Sequence, residues 1–316
     1  MGKVGKKWIS GFWRRIGALF IDGLILSAVG FVLGLLLEST FVEIGDWGRL
    51  IGFSISLVYF GVMNSVVSNG QTLGKKALNI KVVNSSNDTI SILKSFARYT
   101  VLAIPFSLNG IHVTNEALVS YLMYPFSFLI FGVFFAIIYL YVCNRVTRQS
   151  LHDLIFGTYV VNSEADHQTV GVIWKPHLLV VVILFVVSII LPIYTSQQAN
   201  DESFEDLMST QKTINSLSAV TYASVTSGSS IFASTSEDSQ TKTTTYVNVQ
   251  AFISEDNVAD EALARNLGEV VVNTYSESIN KDVIKVTLTY GYDIGIWSQW
   301  FSHTHTFAPT DLLGFE

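Results

Sequence analysis

Charge is scarce in this chain. Only 14% of its 316 residues are Asp, Glu, Lys or Arg, where a soluble domain carries roughly 25%, so little is available to cover a water-facing surface. Cysteine is scarcer still. A lone Cys143 excludes an intrachain disulfide and with it a disulfide-stapled secreted module, and its place at the end of an apolar run reads as a small packing residue. Five prolines and 22 glycines exclude collagen. An excess of positive charge is also missing: the net charge of −6 is far from the basic character of a nucleic-acid binder, whose pI lies above ~9. What the chain has is apolar residue, 49% of the total with 21 Phe, at a mean hydropathy of +0.43. That content excludes a disordered chain. The charge divides by position: residues 1–195 hold 14 Lys+Arg against 9 Asp+Glu, and residues 196–316 hold 5 against 16. The composition is that of a membrane protein with an acidic, water-soluble tail.

About 20 apolar residues span ~30 Å of hydrocarbon as a helix. Residues 16–37 carry one charge, Asp22, and form the first candidate span; 48–67, 121–143 and 177–195 follow. Segment 96–112 is short, starts near Arg98 and contains Pro105, so it reads as a span, a re-entrant helix or a surface helix. The expected architecture is membrane all-α, with four to five transmembrane helices. The expected domains are a membrane domain at 1–165, a linker with the fifth helix at 166–195, and a C-terminal acidic α+β domain at 196–316.

Lys and Arg mark the cytoplasmic loops. Lys3, Lys6, Lys7, Arg14 and Arg15 precede the first span, Lys75, Lys76, Lys81, Lys94 and Arg98 fall between the second and third, and Arg145, Arg148 and Lys175 between the fourth and fifth. The opposite loops hold Glu38, Glu43, Asp46 and Glu116 against a lone Arg49. The expectation is a multi-pass protein of the plasma membrane, N-terminus inside and C-terminal domain extracytoplasmic. Trp8, Trp13 and Trp174 are expected at the inner interface and Trp47 at the outer. The first span is too long for a cleaved signal peptide.

A carboxylate within the hydrocarbon costs ~3 kcal/mol and tends to face a bundle interior or a water path, so Asp22 is either functional or a polar clamp between helices. Arg15 lies seven residues earlier on nearly the same helix face, but roughly 10 Å away along the axis, so each needs another partner. After the fourth span, Arg148, His152 and Asp153 are placed to form a polar knot reachable by Arg15. Gly70-Gln-Thr-Leu-Gly74-Lys75-Lys76 lacks the GxxxxGK[ST] spacing of a phosphate loop, so no nucleotide is expected. Residues 80–85 (IKVVNS) and 158–163 (TYVVNS) echo each other and are expected to pair as short strands in a small cytoplasmic β layer.

These blocks carry a resemblance. The segment from Phe12 to Asp22 (FWRRIGALFID), then Gly70 to Lys75 (GQTLGK), then Leu151-His152-Asp153 with Gly157-Thr158 and Val160-Val161 resemble, in order, the RDD family of bacterial membrane proteins. The resemblance covers roughly residues 8–163. It implies that the family's Arg and two Asp are Arg15, Asp22 and Asp153, with Arg14 an alternative for the first. It also implies two activities proposed for the family: transport, including cation/proton antiport, and inhibition of membrane-bound proteases.

In the tail, 201–215 reads as a polar helix, 216–245 holds at least one strand, and 244–253 is another. Residues 258–275 read as an amphipathic helix with Asn257 as N-cap, 282–290 alternates as a strand, and 297–307 reads as a last strand or as a segment touching the membrane interface. One helix against an antiparallel sheet is the expectation. His303 and His305 share a strand face but lack further metal ligands, and no GxSxG elbow presents a nucleophile. Neither metal nor cofactor is expected, nor is nucleic acid.

Two functions follow. The first is transport of a small solute or cation, proton-coupled through Asp22 with Arg15 and Asp153 gating it, and run through a homo-oligomer because four or five helices make a thin path. The second is a non-catalytic partner or regulator of another membrane protein, such as a protease, with a sensing ectodomain. An aspartyl-protease pairing of Asp22 with Asp153 lacks the sequence context of such enzymes, so no enzymatic activity is expected.

Overall fold

The computed structural model describes residues 7–111, 116–198, 202–232 and 242–313. Lys3, Lys6, Asp201, the stretch 233–241 and His112, which ends segment 96–112, lie outside the described residues. The chain divides into two compact units. The first comprises 1–37, 46–194 and 293–298, and the second 38–45, 195–292 and 299–316.

In the first unit, α1 (Phe12–Ile44) is broken at Leu37 (φ −134°, ψ 24°), where the first apolar run ends. A 3₁₀ turn leads into α2 (Gly48–Met63). The short helix α3 (Leu73–Ala77) and strand β1 (Ile80–Asn84) follow. Next come α4 (Ile92–Leu108) and α5 (Glu116–Ser127), which continues through a π-helical stretch into α6 (Phe134–Cys143). Then come α7 (Leu151–Phe156), β2 (Thr158–Asn162) and α8 (Lys175–Gln198). Among the described residues, three segments are long and apolar enough to cross a membrane: Phe12–Met63, Tyr121–Cys143 and Lys175–Tyr194. The described part of segment 96–112 falls mostly in α4, which starts earlier because Ser91 caps it, accepting from Lys94 N at 3.4 Å.

Helices approach where small residues permit it. A Cβ on Gly132 would sit 2.5 Å from Ser188 Oγ of α8, and Ser127 Oγ donates to the Ser188 carbonyl at 2.5 Å. Cys143, the last residue of α6, is exposed rather than packed.

The two echoing segments do pair. β1 and β2 run antiparallel in the register Ile80↔Asn162 to Asn84↔Thr158. The ribbon is buried on both faces: Ile80, Val82 and Val160 pack with Ala18 of α1 and Ile90, while Val83 and Val161 pack against Trp8. Trp8 is therefore 1% exposed, with its indole N–H donating to Asn87 Oδ1 at 3.1 Å. It is a core residue of the ribbon, not the interfacial anchor that its position suggests. Trp13, Trp47 and Trp174 are exposed.

The second unit holds α9 (Glu202–Asn215), β3 (Val220–Phe232), β4 (Lys242–Ile253), α10 (Glu261–Thr274) and all of β5 (Val283–Asp293) and β6 (Ser298–Phe307) except Asp293 and Ser298, which belong to the first unit. The sheet order is β3-β4-β5-β6. It is mixed rather than antiparallel, because α10 carries the chain back across the sheet and β5 joins β4 in parallel. Two helices contribute to the core: Ile214 of α9 joins Ala264, Leu267 and Val271 of α10 over Val247, Val249, Val286 and Leu288. Asp260, not Asn257, caps α10, accepting from Leu263 N at 2.9 Å.

Candidate functional site

Asp22 lies within the apolar part of α1 and is fully buried. Its Oδ1 accepts from Tyr59 Oη of α2 (2.7 Å) and from Gly74 N (2.8 Å), and its Oδ2 accepts from Thr72 Oγ1 (2.6 Å). The glycine-rich loop makes this possible. Gly70 takes φ +70°, and a Cβ there would collide with the Val82 carbonyl. The loop is thereby tied to β1, with Val82 N donating to Gly70 O at 2.8 Å. Thr72 caps α3 by accepting from Lys75 N at 3.2 Å. A Cβ on Gly74 would collide with the Ala18 carbonyl, so only glycine brings this amide to Asp22. The loop does present donors to an anion, the Gly74 N–H and the Thr72 hydroxyl, and that anion is the chain's own Asp22.

This geometry is a clamp. A cation site needs oxygens converging on an open position, whereas Asp22 is ringed by donors pointing at it. Tyr59, Thr72 and Gly74 compensate the desolvation that a lone intramembrane carboxylate would suffer.

Asp153, on α7, is 1% exposed. Its Oδ1 accepts from Arg98 Nε (3.0 Å), Arg98 Nη2 (2.8 Å) and Thr158 Oγ1 (2.7 Å). Arg15 Nη1 approaches its Oδ2 at 3.9 Å and His152 Nε2 at 3.7 Å. Arg15 itself donates to the carbonyls of Arg148 and Val160, the latter at 3.0 Å. Arg148 thus contributes its carbonyl, turned toward Arg15 by a left-handed backbone at φ 53°, and not its guanidinium. Arg15, His152 and Asp153 are brought together, and Asp22 is held separately by the α3 loop.

Burial would raise the pKa of Asp153, but Arg98, then His152 and Arg15, outweigh it and hold the group well below the usual carboxylate range. Burial pushes His152 down to about 3, against the pull of Asp153 and with the repulsion of Arg98, Arg15 and Lys75; it is a neutral imidazole at pH 7. Burial, then Arg98, lowers Lys75 to about 8, against Asp22 and Asp153.

Above this polar cluster opens a cavity of about 310 Å³. Arg15, Lys75, Arg98, His152, Asp153 and Asn64 line its polar end, and Leu19, Leu102, Phe106, Ile138 and Val142 are among its apolar walls. A second cavity, of about 450 Å³, adjoins it and shares Leu19, Phe60, Tyr99, Leu102 and Phe106. Arg49 lines the far end of the second cavity and is neutralised by Asp293 of the same unit at 2.7 Å. Arg98, Asn64, Tyr59, Thr72 and Thr158 were not among the site residues read from the sequence. Arg98 carried a signal, because an arginine inside a candidate span faces a bundle interior by default. The other four are ordinary polar residues whose role depends on packing.

Long apolar helices around a buried cluster of charges, closed by a two-stranded ribbon, define an integral membrane protein. Residues 9–157 match the model of the RDD family, and the chain carries an RDD-family domain over that part of its length. Two uncharacterized proteins of Bacillus subtilis strain 168 are similar to it. YxaI is 26% identical over 173 residues, covering 48% of this chain and 96% of YxaI. YckC is 26% identical over 151 residues, covering 48% of this chain and 83% of YckC. No solved structure matches the chain.

Proposed function

We propose that the RDD domain moves a small solute across the membrane by way of the two adjoining cavities. The observation that carries this reading is their shared wall. Leu19, Phe60, Tyr99, Leu102 and Phe106 line both, so the two cavities are neighbours, and on this reading movement of those side chains joins them into one track from the Arg15–Lys75–Arg98 end to the Arg49 end. The Lys/Arg bias of the loops assigns the former end to the cytoplasm and the C-terminal domain to the outside. The track runs within one copy, so this reading does not call on an oligomer. Its polar end carries three cations against Asp153, which favours an anionic solute over a cation. The protein is non-enzymatic on this reading, and the RDD carboxylates hold the track's walls in place.

The test is solute uptake into proteoliposomes by wild type and by Leu102→Trp, which fills the shared wall. Uptake that the substitution abolishes at matched reconstitution supports transport. Absence of uptake by the wild type overturns it. The remaining reading is then a non-catalytic regulator of another membrane protein. The exposed Trp300 and Phe301 of β6 favour that alternative, and crosslinking in membranes would find the partner.

A further inference from the structure

We infer that the polar end of the 310 Å³ cavity binds the anionic head, a phosphate or carboxylate, of an amphiphile whose apolar tail lies along the cavity wall. The inference rests on the same cavity as the proposed transport and names the class of its occupant.

The charges at the polar end do not close among themselves. Asp153 is committed to Arg98 and Thr158, and Arg15 spends its terminal nitrogens on two carbonyls. Lys75 has no carboxylate within ion-pair distance among the described residues; its ammonium lies 5.8 Å from the centroid of the Phe60 ring. Lys75 is only partly buried where it lines the cavity, and a bound anion gives its ammonium a charge-assisted partner at contact distance.

Three polar atoms of residues that line this cavity are buried and without hydrogen-bond partners among the described residues: Arg15 Nε, Asn64 Oδ1 and His152 Nδ1. Their residues are 7%, 2% and 5% exposed. Unpaired buried polar atoms are rare in a folded protein and call for an explanation. One donor and two acceptors are the complement of a head that has both oxygens and an O–H, as a monoprotonated phosphate or a glycerol phosphate has. Neutral His152 accepts at Nδ1 when its proton is on Nε2, which faces Asp153.

The rest of the cavity selects a tail. Leu19, Phe106, Ile138 and Val142 line it and are themselves exposed. In a membrane such an exposed apolar rim faces lipid, so an amphiphile can enter sideways without its chain leaving hydrocarbon. The volume is at the lower end of the ~300–1,000 Å³ usual for ligand pockets, which suits one head and the first part of a chain.

Lys75 is the residue to vary, because its side chain makes no hydrogen bond among the described residues while Arg15 and Asp153 hold the fold. Full-length protein is offered phosphatidic acid and phosphatidylcholine in equal amounts, and bound lipid is counted by native mass spectrometry, with inorganic phosphate in a parallel arm. The expected result is preferential retention of phosphatidic acid, reduced about tenfold or more by Lys75→Gln, kept by Lys75→Arg and unchanged by Lys76→Gln. Retention also falls as pH rises through about 8 in the wild type but not in Lys75→Arg. The groups facing Lys75 are Arg15 and Asp22 of α1, Arg98 of α4, and His152 and Asp153 of α7. Equal binding of the two lipids, or equal loss in Lys75→Gln and Lys76→Gln, overturns the inference. So does inorganic phosphate that displaces the lipid at comparable concentration, since the tail would then contribute nothing. Binding without flux removes transport and leaves this inference standing; flux of another solute without lipid selectivity does the reverse.

Discussion

Thr72 Oγ1 donates to Asp22 Oδ2 at 2.6 Å, joining the cap of a five-residue helix to the first apolar helix. That bond, with those from Tyr59 and Gly74, turns the acidic residue of the first RDD block into an anchor for the loop of the second. The first two blocks complement each other, the loop with donors and α1 with the carboxylate, while the carboxylate of α7 pairs with Arg98 of α4, outside all three blocks.

Asp22→Asn replaces an acceptor with an amide that must turn its NH₂ toward at least one of three donors. The expected loss is about 2–4 kcal/mol of stability, seen as lower yield and a lower melting temperature in detergent. Tyr59→Phe removes one donor only and should cost about 1–2 kcal/mol.

Gly74→Ala drives a methyl into the Ala18 carbonyl, so α3 must move and the Gly74–Asp22 bond lengthens. A loss of about 2 kcal/mol or more is expected. On the same α1, a Cβ at Gly23 meets nothing within 4 Å, and Gly23→Ala should be neutral or stabilising by up to ~1 kcal/mol. Thermal melts of the two variants side by side check the contrast.

Acid should destabilise the domain from pH 6.5 downward. His152 is lowered to about 3 in the folded state, so between pH 6.5 and 3 the unfolded chain binds a proton that the folded chain does not, and stability falls as pH falls. Asp153, held below the usual carboxylate range, adds a further loss below about pH 4 for the same reason. His152→Gln should flatten the first part of the melting-temperature profile and leave the second.

Asp260→Ala removes the N-cap of α10 and should cost about 1 kcal/mol, while Asn257→Ala should change little. Denaturant melts that follow the second unit distinguish them.

Much of this was legible in the sequence where the pattern is local. The β1–β2 pairing could be read because two short β-branched runs with the same closing residues are separated by helices, leaving them only each other to pair with. The resemblance of three motif blocks placed Arg15, Asp22 and Asp153. The distance between Arg15 and Asp22 along the helix correctly implied a different partner for each. What could not be read depends on packing across elements. Trp8 is adjacent to basic residues and looks like an interfacial anchor, but β1 and β2 leave a face that it fills. Tyr59 and Thr72 become ligands of Asp22 only once α2 and the Gly70–Gly74 turn lie beside α1. The parallel join of β4 to β5 follows from the return path of α10, which strand periodicity alone does not report. Arg148 acts through its carbonyl, a role that no side-chain motif encodes.

The central claim is that the positive end of the track handles an anion while Asp22 is a clamp. Uptake of labelled decyl phosphate and Na⁺-, K⁺- or Li⁺-driven proton movement, measured in the same proteoliposomes, test it most directly. The account predicts uptake of decyl phosphate that Lys75→Gln reduces about tenfold or more, and no cation-driven proton movement. Cation-driven proton movement in the wild type that disappears in a folded, fully reconstituted Asp22→Asn protein would contradict it.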